Sequence, residues 1–88
     1  MAWLIRVKDE AKKDLKKLDS VIQKRIYSFL EEKLSKIENP RMFGKALQGK
    51  FSKYWRYRVG DYRVICRIED SMVTVLVIAV GHRREIYH

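Results

Sequence analysis

Tyr54-Trp55-Arg56-Tyr57-Arg58-Val59-Gly60-Asp61-Tyr62-Arg63-Val64-Ile65-Cys66-Arg67-Ile68 is the stretch on which the reading of this chain turns. Two runs rich in aromatic and β-branched residues flank a Gly-Asp pair, and glycine in the first place of a two-residue loop is the preference of a type II′ hairpin turn. That turn predicts the register: Val59 pairs with Tyr62, Arg58 with Arg63, Tyr57 with Val64, Arg56 with Ile65, Trp55 with Cys66 and Tyr54 with Arg67. Side chains alternate along a strand, and directly paired residues share a face. One face therefore carries Trp55, Tyr57, Val59, Tyr62, Val64, Cys66 and Ile68, and is the side to bury. The other carries Tyr54, Arg56, Arg58, Arg63, Ile65 and Arg67. Like charges directly across a ladder cost up to about 1 kcal/mol, so Arg58 opposite Arg63 breaks a local rule, as functional sites often do.

Upstream of the hairpin the period is helical. Residues 2–7 read as a first strand. Asp9 suits an N-cap, and Ala11, Leu15 and Leu18 recur on one helix face. Ser20 followed by Gln23 is a capping-box pattern that opens a second helix, with an apolar stripe of Ile22, Ile26, Phe29, Leu30, Leu34 and Ile37. Asn39-Pro40 closes it, because the residue before proline is pushed out of helical backbone. Residues 41–53 read as a loop punctuated by Gly44 and Gly49, with Phe43, Leu47 and Phe51 turned inward. Strands are expected at Tyr54 to Val59, Tyr62 to Ile68 and Met72 to Val80. The fold class is α+β: an N-terminal strand, a two-helix hairpin, then a three-stranded antiparallel meander, in one mainly antiparallel sheet. Eighty-eight residues hold one hydrophobic core, so 1–88 is a single domain.

Charge says more than size. The 20 Lys and Arg against 11 Asp and Glu leave a formal +9, while a hydrophobic fraction of 47% argues for a folded body rather than a disordered chain. The lysines on the helices read as a solvated face or as a flank gripping a large polyanion. From residue 41 onward ten basic side chains face four acids, Asp61, Glu69, Asp70 and Glu85, so the hairpin arginines outnumber any internal partners. Arginine forks bind phosphate bidentately and tyrosines stack on bases, which puts RNA or DNA first among anionic partners. Other chemistries fail on inventory. The single cysteine, Cys66, excludes an internal disulfide and lies on the buried face. There is no metal-ligand cluster, no glycine-rich phosphate loop and no Ser-His-Asp arrangement. The longest apolar run, Met72 to Val80, is about half of what a membrane span needs, and residues 1–7 are too short for a signal peptide. The expectation is a soluble, cytoplasmic protein without a cofactor.

After the last strand comes Gly81-His82-Arg83-Arg84-Glu85-Ile86-Tyr87. With the order of elements and the Trp55 to Arg63 hairpin, this ending makes nearly the whole chain resemble the RelE/ParE superfamily of toxins, and the terminal tyrosine resembles the RelE branch. That resemblance implies the toxin of a type II toxin–antitoxin system: a metal-independent endoribonuclease that cuts mRNA in the ribosomal A site. It implies a cognate acidic, RelB-like antitoxin, a monomeric free toxin and a hetero-oligomeric complex. Position by position, the family's site residues fall on Arg56, Arg58, Arg63, Arg83 and Tyr87. Members often carry lysine at 56 and 58; arginine keeps the charge but gives up proton exchange. RNA supplies its own nucleophile, the 2′-hydroxyl, so the protein must supply a base, cations for the phosphorane and a proton for the leaving oxygen. Tyr87 is the candidate base, its phenol of pKa about 10 brought down by guanidinium neighbours, and His82 is the alternative acid or base. Arg63 and Arg83 would stabilise the transition state. Arg56, Arg58, Arg67, Tyr54, Arg84 and Lys53 are the candidate RNA contacts. The other reading is a ParE-like DNA gyrase inhibitor or a catalytically inactive antitoxin-binding member.

Overall fold

The computed structural model describes residues 2–82, the side chain of Phe51 excepted. Gly60, at φ +58°, opens the tight turn between β3 (Trp55–Val59) and β4 (Tyr62–Glu69), and the five pairs from Val59↔Tyr62 to Trp55↔Cys66 form in the expected register. The ladder begins at Trp55, so the expected pair of Tyr54 with Arg67 lies outside it. The last strand, β5 (Thr74–His82), runs antiparallel to β4, and β1 (Leu4–Val7) pairs parallel to it on its other side. Flanked on both sides, β5 reads as an apolar run because Val75 and Val77 are wholly buried between neighbours.

A fifth strand appears where a loop was expected. Lys45 and Ala46 form β2, which pairs with Arg56 and Trp55 and gives the sheet the order β1-β5-β4-β3-β2. Two donors on the buried face of β3 hold the preceding segment there. The Tyr57 hydroxyl donates to the Pro40 carbonyl at 2.7 Å, and the Trp55 indole N–H donates to the Phe43 carbonyl at 2.6 Å. Gly44, at φ +75°, lets the chain pass so close that a Cβ there would sit 2.2 Å from the Arg56 carbonyl oxygen. With its carbonyl bound to Trp55, Phe43 does not fold inward as expected; its ring is 39% exposed and lies 5.8 Å from the Lys33 ammonium. Leu47 is half-buried, and the Phe51 side chain lies outside the described residues.

The helices cover one face only. Helix α1 (Asp9–Lys16) starts one residue earlier than expected: Lys8 occupies the N-cap position, and Asp9 and Glu10 place negative charge in the first turn. Helix α2 (Ser20–Ser28) is preceded by Asp19 at its N-cap, and the Gln23 side chain donates to the Leu18 carbonyl instead of closing a capping box with Ser20. Ile26, Leu30 and Leu34 recur every four residues, and a 3.6-residue turn would rotate that row by roughly 40° at each step. The helix widens instead. From Phe29 to Leu34 its hydrogen bonds span five residues, Ser35 N–H donating to the Leu30 carbonyl at 3.0 Å, and the row stays on the sheet. Ala11, Leu15, Ile26, Leu30 and Leu34 thus close on Tyr57, Val64, Cys66, Val75, Val77 and Val80. Burial pushes the Cys66 thiol and the Tyr57 phenol up from their ordinary values, which fits groups that pack rather than react. Among the described residues no helix is long and apolar enough to cross a membrane.

Gly44→Ala is expected to destabilise the fold by about 1–3 kcal/mol, the range for a side chain forced into left-handed backbone, with the Arg56 contact adding to it. Chemical denaturation against wild type checks this; an unchanged midpoint would show that the 40–46 segment is not held on β3. Native Cys66 is expected to resist thiol reagents until the protein unfolds.

Candidate nucleic-acid interface

The helices pack on one side of the sheet, so the opposite side is the uncovered one, and pairing arranges its residues in rows. At the hairpin end stand Arg58, Arg63 and Gly81; next come Lys45, Arg56, Ile65 and Ala79; then Arg67, Leu76 and Arg6; and finally Glu69, Thr74 and Leu4. The four hairpin arginines expected on this face are all there. Lys45 and Arg6 join them, which the sequence reading missed. Lys45 lay in a segment read as loop. Arg6 showed only as one polar residue in a short strand whose partner was unknown.

Arg63 is the unusual member. It sits on a central strand with only 6% of its surface exposed, and its Nε has no hydrogen-bond partner among the described residues. Its Nη1 reaches only the Tyr62 carbonyl, at 3.5 Å. Arg58, Arg63 and Arg67 meet no carboxylate among the described residues. One nearby acid is already engaged: Asp70 receives both guanidinium nitrogens of Arg41, at 2.7 and 2.9 Å. That bidentate contact holds the Asp70 carboxyl below the usual carboxylate range and raises the Arg41 guanidinium. A guanidinium largely removed from water, uncompensated and with donors to spare is a ready seat for an anion. Arg58 across the ladder adds a second cation at strand spacing.

The far end of β5 is set by an irregularity. Ile65 pairs with Ala79 but Cys66 with Val77, so Ile78 is an extra residue on β5, a β-bulge. Before the bulge Val75 and Val77 face the helices; after it Val80 and His82 do, and Gly81 falls on the arginine face beside Arg63. Strand β1 has ended at Val77, and Asp14 of α1 takes over: its carboxylate accepts the Val80 N–H at 3.0 Å. Nothing in the helical periodicity marked Asp14 out.

The bulge also decides where His82, the alternative acid or base, lies: on the helix side, where it pairs with Tyr62 and their rings meet edge to face at 5.5 Å. The sheet lies between it and the face that carries Arg58, Arg63 and Arg67. Tyr54 is half-buried just before β3, and Lys53 is exposed in the turn leading to it, both at the margin of the face. Arg83, Arg84 and Tyr87 lie outside the described residues.

Comparison with known proteins bears on the family and the fold. Residues 5–87 match the family model described as the ParE toxin of type II toxin–antitoxin systems, parDE. The chain is 33% identical over 87 residues to the toxin RelG of Mycobacterium tuberculosis, covering 99% of this chain and 98% of that protein. Its fold is similar to the RelBE toxin–antitoxin complex of M. tuberculosis, with a TM-score of 0.86 at 30% identity over 97% of this chain and 95% of that one. It is also similar to a mutant of the E. coli toxin RelE in the free state, with a TM-score of 0.77 at 28% identity over 99% and 88% of the two chains. A RelB–RelE antitoxin–toxin complex of Methanococcus jannaschii gives 0.72 at 31% over 93% and 94%.

Asp14→Ala leaves the buried Val80 N–H without an acceptor, at an expected cost of about 1–3 kcal/mol. The Val80 amide should exchange faster with solvent than in wild type while the β4 amides keep their protection. Asp14→Asn, which retains an oxygen acceptor, should restore most of the protection, and equal exchange in all three proteins would remove Asp14 from this role.

Proposed function

The chain belongs to the RelE/ParE family of toxins from type II toxin–antitoxin systems, and from that premise we propose that it is an mRNA endonuclease acting in the ribosomal A site. The observation that carries the reading is Arg63: a buried cation whose Nε has no hydrogen-bond partner among the described residues, set in a face where, among those residues, arginines outnumber acids. RNA needs little else from a protein. Arg63 binds a non-bridging oxygen of the scissile phosphate and holds the negative charge that grows as the 2′-hydroxyl attacks. Arg58, one strand away, takes a second phosphate oxygen, and Arg56 orients the backbone. Gly81 adds no side chain beside Arg63, which leaves room for the phosphate. Tyr87 takes the 2′-hydroxyl proton and Arg83 shares the phosphorane charge; both roles rest on the sequence. The 2′-oxygen forms a bond to phosphorus as the bond to the 5′-oxygen breaks, and the departing 5′-oxygen takes its proton from water, giving a 2′,3′-cyclic phosphate and a 5′-hydroxyl end.

Among its described residues the face presents cations and little base-reading chemistry, which supports a reading in which the ribosome supplies the message in single-stranded form. The proposal places the protein in the cytoplasm. It also implies a regulator, because a free enzyme of this kind halts translation. A RelB-like antitoxin, of the kind found in complexes with related toxins, neutralises the arginine face through acidic side chains.

Mapping 5′ ends on programmed ribosomes tests the reading. Cuts within the A-site codon are expected, with Arg63→Ala slowing them about 10²–10³-fold, the range for removing one transition-state donor. Tyr87→Phe should slow them about 10²–10⁴-fold, and His82→Gln should leave them near the wild-type rate. Intact message together with gyrase-linked DNA damage would instead support the ParE-like reading.

A further inference from the structure

We propose that Arg6 and Arg67 form a second phosphate-binding subsite that holds the message away from the cut; the proposal rests on the RNA-cleaving reading. Arg67 on β4 and Arg6 on β1 pair with the same residue, Leu76 of β5, so both project from the uncovered face in one row. Both are exposed, and neither meets a carboxylate among the described residues. Leu76 lies between them and gives a base or ribose an apolar floor.

Strand geometry sets the distance to the cleavage site. Arg63 and Arg67 are four residues apart, about 13 Å, and β1 lies two strands from β4, about 10 Å, so Arg6 stands roughly 16 Å from Arg63 along the diagonal. An extended single strand covers that span in a few nucleotides. The face changes sign immediately beyond. Glu69 occupies the next row, and with Arg6, Lys8, Asp9 and Glu10 it lines a shallow depression of about 420 Å³ at the β1 edge. The cationic band ends at the Arg6 row, and Glu69 past it turns the strand off the sheet. The footprint is therefore bounded: the scissile phosphate on Arg58 and Arg63, a flanking phosphate on Arg67 and Arg6, and repulsion after that.

The test walks a neutral methylphosphonate linkage along the message on programmed ribosomes, one position at a time, with wild type and Arg6→Gln/Arg67→Gln. Wild type is expected to lose about 10-fold or more at one linkage a few nucleotides from the cut, the weight of a charge-assisted contact. The double variant should cleave the unmodified message that much more slowly and lose nothing further at that linkage, and Arg6→Lys/Arg67→Lys should recover most of the rate. Equal thermal midpoints show that folding is not the cause. A double variant that cleaves like wild type, or that stays sensitive to the same linkage, overturns the subsite. Loss of binding to an acidic antitoxin peptide with cleavage intact also overturns it and assigns the row to protein recognition. If wild type cuts no message at any position, the mRNA reading itself falls, and that outcome differs visibly from the others.

Discussion

Two consecutive residues, Tyr57 and Arg58, cannot point the same way in a strand, and the rest of this molecule is organised around that constraint. Tyr57 goes under the helices, where its hydroxyl binds the Pro40 carbonyl and its ring packs on Phe29. Arg58 is thereby committed to the open face, and the Gly60 turn places Arg63 directly opposite. A one-residue slip would exchange the two faces, putting arginines into the core and tyrosines into water. The buried aromatic residues thus enforce the arginine cluster: its repulsion, at most about 1 kcal/mol for the paired arginines, is small beside the several kcal/mol of burying large apolar side chains on the other face.

That asymmetry explains why so much of the hairpin could be read from its residues. Alternation and turn chemistry are local, and here they agree, so register and faces follow without tertiary information. Where tertiary contacts decide, reading along the chain failed. Lys45 becomes a strand residue because Gly44 and two aromatic donors on β3 hold its segment in place, and nothing local marks a two-residue strand. Phe43 looked like core by type, yet it is its backbone carbonyl that the core uses. His82 lies on the helix side because Ile78 is inserted in β5, and a bulge in a continuous apolar run leaves no mark when every residue around it is hydrophobic.

The uncompensated charge also bears on regulation. A buried guanidinium that meets no carboxylate among the described residues keeps much of the cost of leaving water, and any anion that fits repays part of it. On the proposed reading, message and antitoxin would draw on the same electrostatic source, so a face that binds phosphate would be equally suited to being neutralised. The Arg41–Asp70 pair illustrates the alternative: where an acid is in reach, the guanidinium is satisfied internally and is no longer available.

The bulge and Asp14 connect the two layers. Residues 74–77 of β5 are held on both sides, by β1 and β4, but after Val77 the β1 side is open and a strand in that position would be free to shift. Asp14 supplies the missing acceptor from α1, which fixes the phase in which Gly81 meets Arg63. The position of the chain beside the buried arginine is thus determined in part by a helix on the opposite side of the sheet.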